Sequence, residues 1–203
     1  MSENLLKRVF TSFFLITVLY ISMLNEYLWL FLIITVSILC FFEFIYLTNI
    51  IWKNKKFKIN VINLIGLFYL VILICSSYLL YNSGSKLDVY YILFVCIFSD
   101  TGGYVFGKFF GGIKLTKISP NKTISGAIGS FLFSSFTLFI FFYTSDLLLN
   151  AKYTFTYIVI ITLFLSFISQ VGDLIISIFK RKAKVKDTGS ILPGHGGLLD
   201  RVD

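Results

Sequence analysis

Six long apolar runs, separated by short polar segments, dominate the pattern of this 203-residue chain. Several of the runs exceed the ~18 residues that mark a candidate transmembrane helix. Helices are the expected form, because lipid offers no partner to exposed backbone amides and the alternating pattern of a membrane barrel is absent. We predict spans at Val9–Leu24, Tyr27–Ile50, Val61–Tyr81, Leu87–Gly107, Ile124–Tyr143 and Tyr153–Phe179.

The fold class that this pattern predicts is all-α, a polytopic membrane protein with about six transmembrane helices. We expect one integral membrane domain over 1–203, with N-terminal spans in 1–98 and catalytic spans and motif loops in 99–203. Lys7 and Arg8 precede the first apolar run as in a signal peptide. No small-residue cleavage pattern follows, so we interpret that run as an uncleaved span.

The charged residues are distributed unevenly between the two sides of the predicted membrane domain. The net charge is +8, and 16 of the 18 lysines and arginines fall on one side, leaving only Lys86 and Lys152 on the other. The positive-inside rule then places both termini and the motif loops in the cytoplasm. We therefore read the excess charge as topology, not as a nucleic-acid surface, and expect an integral protein of a bacterial inner (plasma) membrane.

The three cysteines fall in apolar runs without metal-ligand spacing, so we interpret them as buried hydrophobic residues. Acidic residues within the spans are more informative. Asp173 lies on one helical face with other polar residues of the sixth span: Ser166, Ser169, Gln170, Ser177 and Lys180. Small polar residues alone would fit a helix-packing seam, but a carboxylate in lipid is costly and favours a functional role.

Asp100 in the fourth span matches Asp173 in predicted depth. Asp173 lies seven residues before Lys180, and Asp100 lies eight before Lys108. At ~1.5 Å per residue both lie ~10–12 Å below the cytoplasmic edge. The two carboxylates could line one cavity, or each could pair separately with a neighbouring Lys or Arg. Glu43, a third acid within a span, has no nearby partner in the sequence, and we favour a structural role for it.

Two polar segments could bind phosphate. The loop after the fourth span combines glycines with lysines, which suits phosphate binding and equally suits contact with anionic headgroups. The C-terminal stretch carries Asp200 and Asp203 at i, i+3 spacing, so with Asp173 they could give three carboxylates for Mg²⁺. His195, the only histidine, lies among glycines, and structural and functional roles are evenly balanced for it.

The C-terminal stretch closely resembles the signature of phosphatidate cytidylyltransferases, also called CDP-diacylglycerol synthases. The matching positions, within 27 residues, are Ser177, Lys180-Arg181, Lys186-Asp187, Gly189, Pro193, His195-Gly196-Gly197 and Asp200-Arg201-x-Asp203. Upstream, Asp100-Thr101 with Tyr104 and Gly107 and the box Ser119–Gly126 resemble two further family elements. Gly103 replaces a usual Ala, and Ile124 and Ser125 replace a usual Trp and Glu or Gln.

The resemblance implies transfer of the cytidylyl group from CTP to phosphatidic acid, giving CDP-diacylglycerol and pyrophosphate in phospholipid biosynthesis. The resemblance implies Mg²⁺ as the cofactor and allows for a second cation. It is also compatible with a homodimer. The implied metal ligands are Asp100, Asp173, Asp200 and Asp203. The implied catalytic residues are Asp173, Lys180, Arg181, Asp200 and His195. The implied substrate-binding residues are Ser119, Lys122, Thr123, Ser177, Lys186 and Arg201.

Family members usually continue past Asp-Arg-x-Asp with at least one more helix, so we expect this chain to lack the family's C-terminal helix or helices. Activity of the 203-residue form does not follow from the resemblance alone. Two other classes are a related CTP-using enzyme, such as a CTP-dependent polyprenol kinase, and a transporter with acids in its spans. The dense Lys/Asp/His-Gly-Gly segment argues against both.

Overall fold

The computed structural model describes residues 3–83, 86–116, 119, 122–144, 154–194 and 196–202, without the side chains of residues 3, 4, 83 and 142–144. The helices found in these ranges are α1 Glu3–Ser22, α2 Glu26–Ile51, α3 Lys56–Ser83, α4 Lys86–Phe110, α5 Ile124–Thr144, α6 Phe155–Ala183 and α7 Leu199–Val202. No β-strand occurs in them, although two isolated bridges join loop residues.

The prediction of an all-α polytopic membrane protein is confirmed, because α1 to α6 are all long and apolar enough to cross a membrane. Some helices extend beyond the predicted apolar runs. Helix α3 begins at Lys56, five residues before the predicted start at Val61, and α6 continues to Ala183. Apolar runs mark only the lipid-facing length, whereas backbone hydrogen bonds continue the helix into the polar ends.

The described residues group into two compact units, residues 1–86 with 179–203 and residues 87–178. The prediction of a single domain over 1–203 stays a prediction. In the first unit, α2 packs along α1 and α3, and α7 contacts α2. Trp29 stacks on Tyr81 with ring centroids 6.1 Å apart and donates to Ser77 Oγ. Such amphipathic contacts join helices whose outer faces are apolar.

The second unit contains α4, α5 and most of α6. Its buried apolar cluster is formed by Tyr91, Val95, Phe141 and Ile158. Beside this cluster, hydroxyls join α4 to α6: the Tyr91 hydroxyl contacts Thr162 Oγ1, and Ser99 Oγ lies 2.9 Å from Ser166 Oγ. Small and hydroxyl residues allow close approach of membrane helices, for which lipid supplies no competing hydrogen bonds. The polar positions on the sixth span therefore include packing residues as well as Asp173.

Glycines let α4 and α5 approach each other closely. A Cβ added to Gly102 would lie 2.6 Å from Cβ of Phe133 and would also meet the carbonyl oxygen of Gly129. A Cβ added to Gly126 would lie 2.8 Å from the carbonyl oxygen of Gly103. These contacts involve backbone atoms, which cannot rotate away. The close approach is what brings α4 and the start of α5 to the same cavity, described below.

Gly102→Ala should therefore lower stability by about 1–3 kcal/mol, through overpacking against the α5 backbone. Gly103→Ala is the matched control, because the nearest atom to its Cβ is Ser130 Oγ at 2.7 Å, which can rotate away. The added helix propensity of alanine, about 1 kcal/mol, should offset that contact. Thermal unfolding of both variants in the same detergent measures the difference. Equal stability of the two would contradict the proposed backbone contact.

Candidate functional site

A cavity of about 240 Å³ lies in the second unit among α4, α5, α6 and the loop before α5. Its charged lining residues are Asp100 of α4, Lys122 of the loop and Asp173 of α6. Helices α5 and α6 add polar groups, the Ser130 hydroxyl and the Gln170 amide. The structure thus places Asp100 and Asp173, which the sequence puts at matching depth, on one cavity.

Lys122 forms an ion pair with Asp173, and the two side chains are 25% and 39% exposed. The Asp100 carboxylate is repelled by the negative charge of Asp173 and attracted by the positive charge of Lys122. One ammonium group therefore faces two carboxylates, and the described charges of the cavity do not cancel. Since the ion pair remains partly open to solvent, its lysine is accessible to an incoming anion, such as a phosphate group.

Hydrogen bonds within the loop hold Lys122 at the cavity. The backbone N–H of Leu115 donates to the carbonyl of Lys122 at 2.8 Å, and Ile124 N–H donates to the carbonyl of Ile113 at 3.0 Å. Lys122 N–H donates to the carbonyl of Ser119, a buried residue. These bonds fold the loop back along itself. Lys122 is consequently held directly before α5 by backbone bonds to Leu115 and Ser119.

Thr123 caps the N-terminus of α5 as well as lining the cavity. Its Oγ1 accepts from the backbone N–H of Gly126 at 3.1 Å, which is the usual N-cap bond to the third helical residue. Ser125 Oγ lies 2.9 Å from the same hydroxyl and donates to the carbonyl of Gly111. The predicted substrate contact of Thr123 therefore coexists with a local structural role, and stays a prediction.

The donor set of the cavity suits a hard cation such as Mg²⁺. Two carboxylates, three hydroxyl-bearing residues and one amide residue line it, and Mg²⁺ usually takes one or two carboxylates together with substrate phosphates and water. Among the described residues, no group of three or more His, Cys, Asp or Glu side chains is arranged as a metal site. The residues therefore fit a cation that shares its coordination with a bound phosphate.

In the first unit, Glu43 of α2 binds the C-terminal segment. This carboxylate is 5% exposed, and it accepts from Thr188 Oγ1 at 2.7 Å and from the N–H groups of Leu198 and Leu199 at 2.9 Å each. These hydrogen bonds supply the partners that the structural role favoured for Glu43 requires. They lie 145 to 156 residues away, which is why the neighbouring sequence shows none.

Asp200 in the same unit accepts three hydrogen bonds from nitrogen donors. Its Oδ1 receives Lys180 Nζ at 2.6 Å, and its Oδ2 receives Thr188 N at 2.7 Å and Gly197 N at 3.1 Å. Thr188 Oγ1 also lies 3.0 Å from Oδ2, so its one proton is shared between Asp200 and the closer Glu43. Burial alone would raise the pKa of Asp200, but the Lys180 and backbone bonds outweigh it and lower the pKa below its usual range. The charged form therefore stabilises the segment at neutral pH, and that contribution is lost only as pH falls through the lowered pKa.

The first helix also contacts this C-terminal segment. Arg8 Nε donates to the carbonyl of Gly194, and Thr11 Oγ1 lies 3.0 Å from the carbonyl of Pro193. Of the remaining predicted site residues, Ser177 is half-buried on α6, whereas the cationic ones are exposed: Arg181, Lys186 and Arg201. His195 and Asp203 lie outside the described residues, so their predicted roles stay predictions.

Sequence reasoning missed two residues with defined positions. Thr188 is 1% exposed and contacts both Glu43 and Asp200, but it occupies a variable position of the signature, so no pattern marked it. Ser130 lies four residues after Gly126, which places both on the face of α5 that lines the cavity. That helical spacing was a usable signal for Ser130.

The fold and these sites define an integral membrane protein that presents oxygen ligands and a lysine to a cavity of about 240 Å³. The chain belongs to the cytidylyltransferase family, whose model matches residues 7–203. A phosphatidate cytidylyltransferase of Bacillus subtilis (strain 168) is 38% identical over 164 residues, covering 77% of this chain and 59% of that protein.

Two staphylococcal proteins with the same name are also similar. The one from Staphylococcus haemolyticus (strain JCSC1435) is 44% identical over 116 residues, covering 57% of this chain and 43% of that protein. The one from Staphylococcus aureus (strain COL) is 44% identical over 128 residues, covering 61% and 47%. The chain thus spans about half the length of the curated relatives it matches. No solved structure matches it.

The Thr123 cap predicts a simple stability difference. Thr123→Val removes the acceptor for Gly126 N–H and should lower stability by about 1 kcal/mol, whereas Thr123→Ser keeps the acceptor and should stay close to the original protein. Thermal unfolding of the two variants in detergent checks this. A Val variant as stable as the original protein would contradict the capping role of the hydroxyl.

Proposed function

We propose that the protein transfers the cytidylyl group of CTP to phosphatidic acid. A phosphatidate oxygen attacks the α-phosphorus of CTP, the bond from that phosphorus to the bridging α–β oxygen breaks, and pyrophosphate leaves. The products are CDP-diacylglycerol and pyrophosphate. The supporting observation is the cavity that combines Asp100, Lys122 and Asp173 in a membrane-spanning chain of the cytidylyltransferase family. The names of its relatives, phosphatidate cytidylyltransferases, support phosphatidic acid as the lipid substrate.

The reaction brings two anions together, so its barrier is largely charge repulsion, and positioning with charge neutralisation should supply most of the catalysis. Lys122 is the described cation of the cavity and would bind a substrate phosphate in exchange for Asp173. Ser119 and Thr123 would help to shape that phosphate site. Among the predicted cationic residues, Lys180 is held by Asp200, and Arg181, Lys186 and Arg201 would supply further positive charge.

Asp100 and Asp173 are the residues that we propose to hold Mg²⁺. The ion would withdraw charge from the phosphate oxygens around the reacting phosphorus. Asp203 stays a predicted ligand, as does Asp200, although the hydrogen bonds that Asp200 accepts from Lys180, Thr188 and Gly197 favour a positioning role. His195 would complete the predicted catalytic set. A second cation and a homodimer remain proposals that follow from the family.

The distribution of lysine and arginine supports a cytoplasmic position for the motif loops. That orientation suits the proposed substrates, because CTP is water-soluble and phosphatidic acid resides in the bilayer. We propose the bacterial inner membrane as the location.

Incubation of the purified full-length protein with cytidine-labelled CTP, phosphatidic acid and Mg²⁺ should yield a lipid-soluble cytidine product and pyrophosphate. Replacing phosphatidic acid by a lipid alcohol should yield no product. A CTP-dependent kinase would instead phosphorylate that alcohol and leave no cytidine in the lipid. Absence of a cytidine lipid with Mg²⁺, Mn²⁺ or other divalent cations would refute the proposal.

Lys122→Ala should raise the Michaelis constant for at least one substrate by about tenfold, because the variant loses a point charge that binds phosphate in the ground state. Lys114→Ala is the matched control, since Lys114 is exposed on the same loop and does not line the cavity. Steady-state rates against CTP and phosphatidic acid measure both variants. Unchanged Michaelis constants for CTP and phosphatidic acid in Lys122→Ala would indicate that the loop is a solvated basic surface that binds neither substrate.

Asp173→Asn should lower kcat and raise the Mg²⁺ concentration needed for half-maximal rate, because a carboxamide keeps the shape but loses the charge that a hard cation needs. Titration of activity with Mg²⁺ at saturating substrates measures this. A Mg²⁺ dependence identical to that of the original protein would remove Asp173 from the metal site.

A further inference from the structure

The carboxylates of Glu43 and Asp200 accept hydrogen bonds from the same two stretches of the C-terminal segment, residue 188 and residues 197–199. Thr188 donates its side-chain hydroxyl to Glu43 at 2.7 Å and its backbone N–H to Asp200 at 2.7 Å. In the second stretch, Gly197 N–H donates to Asp200, and the next two N–H groups, those of Leu198 and Leu199, donate to Glu43. Glu43 thereby fixes the turn from which α7, carrying Asp200, begins.

The space around Glu43 is shaped to this carboxylate. A Cβ added to Gly189 would lie 2.6 Å from Glu43 Oε1, and one added to Gly197 would meet Glu43 Oε2 and lie 2.7 Å from the backbone nitrogen of Gly189. Two glycines of the signature are therefore needed for close approach to an acid of α2. This contact explains their position without any ligand.

Glu43 is also linked to a proposed substrate-binding cation. Asp200 Oδ1 receives Lys180 Nζ at 2.6 Å, and the Lys180 side chain is only 18% exposed. The position of the Lys180 ammonium therefore depends on where Asp200 is held. Asp200 is held by Thr188, which Glu43 also binds, and by Gly197, which directly precedes the Leu198 and Leu199 amides that Glu43 binds. Charge-assisted hydrogen bonds of this kind are short and directional, so a change at one carboxylate should move the other.

We propose that Glu43 is a positioning residue for cytidylyl transfer, acting through Thr188 and Asp200 to set the place of Lys180. The proposal rests on the proposed function for its catalytic part. Glu43 contacts no substrate in this scheme. It orders the segment before substrate binds and fixes the Lys180 ammonium against Asp200, and Lys180 is the predicted catalytic cation that would act on negative charge developing during transfer.

The test uses the full-length protein with paired variants. Glu43→Gln keeps the shape of the side chain but places an NH₂ group against the N–H donors. Thr188→Val removes the hydroxyl, whereas Thr188→Ser retains it. Ser37→Ala is the control on the same helix, because Ser37 is buried and its hydroxyl has no hydrogen-bond partner among the described residues.

We expect Glu43→Gln and Thr188→Val to lower kcat by about tenfold or more, as for loss of a hydrogen bond to a charged group. The Michaelis constant for CTP should change by less than about threefold, since the defect concerns the transition state. Thr188→Ser and Ser37→Ala should retain full kcat. A merely structural role would instead lower the amount of folded enzyme and leave its Mg²⁺ dependence and kcat per active site unchanged, and that result would overturn the proposal.

Limited trypsin digestion gives a readout that does not need activity. Cleavage after Lys184 and Lys186 should accelerate in Glu43→Gln and Thr188→Val, because the segment opens more often, and stay slow in Ser37→Ala. A double variant Glu43→Gln/Asp200→Asn should lose little more than the more affected single variant, because both act in one network.

The outcomes separate the two proposals. An original protein that makes no cytidine lipid refutes the proposed function, and the trypsin pattern then still tests the link from Glu43 to the segment. Additive losses of kcat in the double variant, or unchanged digestion in Glu43→Gln, would overturn the positioning role of Glu43.

Discussion

Charge within apolar helices is the constraint on which the structure depends. Three carboxylates, Glu43, Asp100 and Asp173, lie on helices that are long and apolar enough to cross a membrane. Removing a carboxylate from water is costly unless donors or cations replace the water. The protein meets this cost in two ways. Glu43 is nearly enclosed by hydroxyl and amide donors, whereas Asp173 has a lysine and a cavity that remains open.

These two solutions correspond to two kinds of role. A carboxylate whose oxygens are all engaged, as in Glu43 and Asp200, organises the chain around it. A carboxylate paired with one partly exposed cation, as in Asp173, can exchange that cation for another partner. The glycines at the contact between α4 and α5 make the second kind of role possible, because only close approach of these helices puts Asp100 and Lys122 on the same cavity. Helix packing and the proposed chemistry are therefore inseparable in the second unit.

The sequence predicted the helices well, because apolar length is a local property that any window of residues reveals. The matched depth of Asp100 and Asp173 was also readable, since it needs only the rise per residue and the first flanking lysine. Partners distant in the chain were not readable. Lys122 reaches Asp173 through a folded loop, and Thr188 reaches Glu43 across 145 residues. Such pairs depend on how helices pack, which hydropathy does not specify.

The separation between Glu43 and its donors also sets an order of assembly. Helix α2 is synthesised before residues 188–199, and at about 5–20 residues per second the interval is roughly 7–30 s. During that time the Glu43 carboxylate lacks Thr188, Leu198 and Leu199, and Arg8 and Thr11 lack their acceptors at Gly194 and Pro193. The first three helices are thus made before the donors and acceptors of their polar groups exist, and this unit can close only after residue 199 has been synthesised.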